Sequence, residues 1–229
     1  MTVVWICLAV AVVAAVGDWV AVSVGRKSLE YACKPAVLAA LVAAAALIPA
    51  GSTALSDRRW WFVAALVLCL AGDVLLMLPA DLFVPGLAAF LAGHVCFVVG
   101  FLHPASPPTT PPFTWSVTGL VVTVAVVLAV EGYPGFRVVR SVVTGDHPGL
   151  VGPVLVYIAA IVTMVVLAWN VGSPLAAAGA TCFLASDTLL AVDRFDRPIP
   201  RGTLAVHVTY HVAQVLLVLS LLGAAAWHR

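Results

Sequence analysis

Trp60-Trp61-Phe62-Val63-Ala64-Ala65-Leu66-Val67-Leu68-Cys69-Leu70-Ala71-Gly72-Asp73-Val74-Leu75-Leu76-Met77-Leu78 is apolar from end to end except for one carboxylate. At about 1.5 Å of rise per residue, such a run matches the roughly 30 Å hydrocarbon core of a bilayer. Its unbroken apolar character, without alternation, predicts a helix rather than a barrel strand.

The rest of the chain repeats this pattern. Cut at turn residues and charges, it yields eight spans: Val3–Val22, Lys34–Ala50, Trp60–Leu78, Phe83–Leu102, Trp115–Glu131, Val151–Asn170, Pro174–Val192 and Thr203–Trp227. The fold class expected is an all-α, polytopic membrane protein forming a single domain over residues 1–229. Composition agrees: 63% of the residues are hydrophobic, 9% are charged and the mean hydropathy is +1.14, too few charges to coat a water-soluble body. With 11 basic and 10 acidic residues there is no basic field for nucleic acid. Cys7, Cys33, Cys69, Cys96 and Cys182 form no CxxC and read as reduced apolar filler.

The connections carry the Gly, Pro and charge. Pro104 to Thr114 and Gly132 to Leu150 read as the longest loops, and Asp18 and Glu131, near span ends, as residues that reach the headgroups. The first span lacks a basic leader region and an A-x-A site and is kept as an uncleaved span. Trp60, Trp61, Trp115 and Trp227 read as interface anchors. Arg26, Lys27, Arg137, Arg140, Arg194, Arg197 and Arg201 follow odd-numbered spans, against Arg58, Arg59 and Arg229 on the other side. The positive-inside rule therefore makes the odd loops cytoplasmic and sends both termini to the far side of a plasma or inner membrane.

Ala71-Gly72-Asp73-Val74-Leu75-Leu76 matches Ala185-Ser186-Asp187-Thr188-Leu189-Leu190. Further matches align Leu87-Ala88 with Leu204-Ala205, His94-Val95 with His211-Val212, Pro35 with Pro153, and Gly51-Ser52 with Gly172-Ser173. Four spans separate the copies, so the two halves, 1–114 and 115–229, would run in the same direction. The expectation is a four-plus-four parallel duplication about a pseudo-two-fold axis along the membrane normal.

An ionisable group in hydrocarbon costs roughly 2.5 to 3.5 kcal/mol and calls for a partner, a cavity or a function. Asp73 and Asp187 lie inside their spans toward the odd-loop side, where Lys34 opens the second span. His207, Tyr210, His211 and Gln214, spaced i, i+3, i+4, i+7, form one polar face of the eighth span, and His94 is expected to point into the same interior. The polar set is expected to converge on one pocket opening to the cytoplasm. Lys34 is also placed where it can snorkel.

Lys34-Pro35, Gly72-Asp73, the Gly86 to His94 stretch, Ser186 to Ala191 and Thr209-Tyr210-His211-Val212-Ala213-Gln214, in that order, resemble the YhhN family of lysoplasmalogenases. The resemblance implies an eight-helix membrane hydrolase cleaving the vinyl ether bond of lysoplasmalogen to a fatty aldehyde and glycerophospho-ethanolamine or -choline. It implies Asp73 and Asp187 as the catalytic pair, with Lys34, His94, Tyr210 and Gln214 lining the substrate site and the lipid as partner; Ser186 and His211, beside these residues in the sequence, are expected to line the same site, with no cofactor or metal. His211 departs from the family pattern, where a second tyrosine is expected. Vinyl ether cleavage fits two acids: one protonates the β-carbon, and the other, ionised, steadies the oxocarbenium ion and orients water. A Lys34 ammonium near one of them favours ionisation there. The alternatives are a zinc hydrolase using His94, His207, His211, Asp73 and Asp187, or a small proton-coupled transporter.

Overall fold

The computed structural model describes residues 1–49, 53–103, 117–145 and 148–226. Gly51-Ser52, the stretch from Pro104 to Thr114, Trp115 and Trp227 lie outside the described residues. Among the described residues every regular element is helical: α1 (Thr2–Ser23), α2 (Lys27–Leu47), α3 (Thr53–Met77), α4 (Phe83–Leu102), α5 (Val117–Val127), α6 (Tyr133–Thr144), α7 (Val151–Asn170), α8 (Pro174–Phe195) and α9 (Gly202–Ala226). Eight segments are long and apolar enough to span a bilayer, because α5 and α6 join into one rod through a π-helical turn, Leu128–Gly132. The chain is an all-α, integral, multi-pass membrane protein.

The rod corrects two expectations. The segment after Gly132 is helix as far as Thr144 rather than loop, and Glu131 lies within the span rather than at its end. Pro134 explains the local shape. Its ring has no N–H to give the carbonyl of Val130 and would clash with it. The helix widens by a turn instead of stopping, since a broken helix would leave backbone groups unpaired in hydrocarbon. In the same way α2 begins at Lys27, so Lys34 sits two turns inside the helix with Pro35 after it.

Close approach of α3 and α4 comes from glycine. Gly86, Gly93 and Gly100 recur every seven residues on α4 and meet Leu76, Cys69 and Phe62, spaced likewise on antiparallel α3. A Cβ at these glycines would lie 2.7 Å from Leu76 Cδ2, 3.0 Å from Cys69 Sγ and 2.8 Å from Phe62 Cδ2. Small residues are what let helix backbones approach in lipid, where no hydrophobic drive brings helices together. A Cβ on Gly72, beside Asp73, would fall 2.6 Å from the Phe90 ring. Phe62 in turn packs edge-on against Phe97 and Phe101 at 5.0 and 5.1 Å.

Helix α9 is the central post, packed against α8, α1, α2 and α3, while the α5–α6 rod lies against α7 and α8. The turns after α1, α3, α6 and α8 share one end of the bundle. There, Arg194 pairs with Asp81 at 3.1 Å and Arg137 with Asp196 at 2.7 Å. At the other end Arg58, though buried, donates to the Gly100 carbonyl at 3.2 Å, so this cation joins α3 to the last turn of α4.

Candidate active site

Asp73 stands one turn before the end of α3, and its two oxygens have different partners. Lys34 Nζ lies 3.2 Å from Oδ1, and the Tyr210 hydroxyl of α9 donates to Oδ2 at 2.9 Å. Lys34 also reaches His207 Nε2 at 3.4 Å, and His207 Nδ1 lies 2.7 Å from Asp18 Oδ2. An ammonium can only donate, so Nε2 accepts and the imidazole hydrogen sits on Nδ1, aimed at Asp18. A continuous polar line therefore runs from Asp18 on α1 through His207, Lys34 and Asp73 to Tyr210. His211 joins it from the side: its Nδ1 accepts from Trp19 Nε1 at 3.1 Å and lies 3.9 Å from Asp18.

Two readings from sequence are corrected here. Asp18 is fully buried and held by His207 rather than extended to headgroups, and Lys34 is buried in an ion pair rather than snorkelling. A carboxylate enclosed by a bundle needs such partners, whereas one at a span end would find water.

Asp187, two turns from the end of α8, has a separate set. The Tyr157 hydroxyl of α7 donates to Oδ2 at 2.6 Å, and His94 Nε2 of α4 lies 3.4 Å from the same oxygen. Among the described residues no Lys or Arg forms an ion pair with it. The side chain of Asp187 is 12% exposed, against 1% for Asp73. The exposure opens onto a narrow apolar cleft between α4, α6, α7 and α8, walled by Leu87, Val138, Ile158, Ile161 and Leu184. Glu131 and Thr188 line this cleft with Asp187; Asp73 does not.

Phe183 separates the two acids' surroundings. Its ring is edge-on to His94 at 4.7 Å and to Tyr210 at 5.5 Å, touching one partner of each acid. The eighth span does present one polar face, with His207, Tyr210, His211 and Gln214 all buried. Its members nevertheless divide: the histidines turn to Asp18, Tyr210 to Asp73, and Gln214 lies beside Tyr210 and Cys69. His94 joins Asp187 rather than Asp73. Ser186 donates to the Val206 carbonyl at 3.1 Å, tying α8 to α9.

Tyr157 was not singled out in the sequence, because a tyrosine seven residues into an apolar run carries no motif. Glu131 reads in the sequence as the end of its span, with no role beyond reaching the headgroups. Among the described residues no three of His, Cys, Asp or Glu converge so as to hold a metal ion, and the five residues of the zinc alternative fall into the separate clusters above. A second cavity, about 510 Å³ and polar, opens at the same end of the bundle between the α1–α2 turn and the start of α9, with Lys27, Glu30, Arg201 and Thr203 on its wall.

The model of the YhhN family matches residues 29–221. A Mycobacterium bovis protein named lysoplasmalogenase is 35% identical over 202 residues, covering 84% of this chain and 70% of its own length. The Mycobacterium tuberculosis protein of the same name matches equally. Human lysoplasmalogenase TMEM86B is 34% identical over 159 residues, 69% of this chain and 62% of that protein. No solved structure matches.

Proposed function

The chain belongs to the YhhN family, and from that premise we propose that it is an integral-membrane hydrolase cleaving the vinyl ether bond of lysoplasmalogen, releasing a fatty aldehyde and a glycerophospho-base. One observation carries the reading: two aspartates inside the bundle have opposite electrostatic surroundings, Asp73 buried and ion-paired with Lys34, Asp187 held by a neutral tyrosine hydroxyl and facing an apolar cleft.

The roles follow from those surroundings. Asp187, with no cation against it among the described residues, keeps its proton and faces the apolar cleft, whose walls suit an alkenyl chain once the helices part to admit it. It gives that proton to the β-carbon as the C=C pair forms the new C–H bond, leaving an oxocarbenium ion. Asp73, compensated by Lys34, stays ionised; its negative charge steadies the cation and its side of the site takes the proton lost by the attacking water. The hemiacetal then collapses to aldehyde and alcohol. Tyr157 orients Asp187 with His94 beside it, while Tyr210 and Lys34 fix Asp73; Ser186 and His211 brace α9 against α8 and α1 behind them. No cofactor enters. Lys27, Glu30 and Arg201, at the mouth of the polar cavity, suit a zwitterionic phospho-base head, and the positive-inside bias puts this end at the cytoplasm.

The four-plus-four duplication belongs to the same proposal. Asp73 takes partners from α2 and α9, and Asp187 from α7 and α4, which are corresponding helices of the two halves. Cys69 and Gly93, a small pair, correspond to Phe183 and Tyr210, a large one, and this difference supports the unequal surroundings of the acids.

The test is aldehyde release from lysoplasmalogen by the purified protein in nanodiscs, beside Asp73→Asn and Asp187→Asn. Both variants are expected to lose at least 100-fold in kcat while remaining folded. Wild-type rates in either would end the two-acid reading, and activity that follows added zinc would transfer it to metal chemistry.

A further inference from the structure

Among the described residues Glu131 is the one carboxyl that shares a cleft with Asp187, and three features hold it there. The π turn Leu128–Gly132 places it within the rod. Gly135, one turn on, leaves space for it: a Cβ there would lie 2.6 Å from Glu131 Oε1. Its Oε2 is hydrogen-bonded to Thr188 Oγ1, on the residue after Asp187. Thr188 has a single hydroxyl hydrogen, and its oxygen also lies 2.7 Å from the Leu184 carbonyl, a group that can only accept. The hydroxyl is placed to donate to both oxygens, and with one hydrogen to share it leaves room for a protonated Glu131 to donate back to Thr188, the state that suits a carboxyl with apolar walls and, among the described residues, no cation against it.

Resting on the two-acid reading above, we propose that Glu131 is the residue that returns a proton to Asp187 after each turnover. The need arises from the separation at Phe183. Asp187 loses its proton to the substrate carbon, whereas the proton shed by the attacking water goes to the Asp73 side. Each cycle therefore ends with Asp187 ionised and a surplus proton on the far cluster. The Asp73 side releases its surplus through Lys34 and His207 toward the polar mouth. Glu131 gives its O–H proton to a cleft water as that water passes one of its own to the Asp187 carboxylate, and Glu131 recovers a proton from water at the cleft mouth. The cleft holds about 40 Å³ of open volume, enough for one to three waters. Charge and protons balance over the cycle, because one proton enters through the cleft and one leaves by the polar mouth.

The experiment is rapid-mixing measurement of aldehyde formation by the full-length protein with excess lysoplasmalogen, for Glu131→Gln and Gly135→Ala. Gln keeps a donor for Thr188 but carries no exchangeable acid proton; Ala displaces the carboxyl without removing it. Glu131→Gln is expected to form about one aldehyde per enzyme at the wild-type rate and then slow at least tenfold, with Glu131→Asp recovering part of the steady rate. Gly135→Ala is expected to show the same burst with a milder slow phase. Linear progress at the wild-type rate overturns the proposal. So does an equal slowing of first and later turnovers, the mark of a purely structural role. Asp187→Asn distinguishes the two levels: loss of the first turnover there, beside burst-free Glu131→Gln, removes only the Glu131 role, whereas full activity there removes the two-acid reading itself.

Discussion

Lys34 Nζ on α2 lies 3.2 Å from Asp73 Oδ1 on α3, and both side chains are buried. The four-carbon stem of Lys34 thus brings the charge of one helix to that of its neighbour inside the bundle. Removing one member of such a pair leaves an uncompensated buried charge, at a cost of about 3 to 5 kcal/mol, while removing both costs far less.

Lys34→Met is therefore expected to lower thermal stability in detergent sharply, and Asp73→Asn in the same molecule to recover much of the loss. Thermal unfolding of the two single variants and the double variant measures the coupling. Additive losses would show that the pair carries no mutual stabilisation.

Tyr157→Phe removes only the hydroxyl that donates to Asp187 Oδ2 at 2.6 Å. Stability should fall by about 1 to 2 kcal/mol. Under the proposed mechanism kcat should fall at least tenfold with KM little changed, since the hydroxyl positions the acid while the ring stays in place on the cleft wall. Steady-state aldehyde assays separate the two constants; a rise in KM alone would assign Tyr157 to substrate binding instead.

The glycine seam between α3 and α4 predicts a graded series. Gly100→Ala puts a Cβ 2.8 Å from the Phe62 ring, which is itself wedged against Phe97 and Phe101. Overpacking of this sort costs roughly 1 to 3 kcal/mol. Gly149→Ala, where no atom lies within 4 Å of the new Cβ, should be close to neutral. Unfolding midpoints of the two proteins in one detergent provide the comparison.

At the loop end, the hydrogen bond from Arg137 holds the Asp196 carboxyl below its ordinary range. A group whose value is depressed by folding adds stability at all pH above its unfolded value. That contribution fades as pH falls from about 4 through the folded value. Asp196→Asn should flatten the acid limb of a stability-against-pH curve below about pH 4 while leaving neutral activity intact. An unchanged acid limb would show that this pair does not couple to folding.

The spans were legible because hydrocarbon admits little besides helix and apolar length, and Phe83–Leu102 and Val151–Asn170 fall where the sequence puts them. The polar face of α9 was legible for the same reason: helical spacing fixes which side chains share a side. What a linear reading could not reach is which neighbour each polar side chain finds. Asp18, 189 positions from His207, meets it only because α9 passes beside α1. Likewise Asp73 and Asp187 look alike in sequence, and only the packing around Phe183 gives them different company. Glu131 and Gly132 set the expected end of the fifth span because charge and glycine mark helix ends in water, where freed backbone groups can be hydrated; in hydrocarbon the helix instead widens by one turn before Pro134 and continues.

That widened turn has a consequence for how the chain tolerates change in length. A π turn amounts to an α-helix with one residue added, taken up locally so that the helical faces before and after keep their bearings. Excising one residue between Leu128 and Gly132 should let the rod close into plain α-helix and still dock on α7 and α8, yet leave no carboxyl facing Asp187. Architecture and chemistry are thus separable here by a single codon: homologues one residue shorter at this spot would be well-built proteins lacking this proton supply.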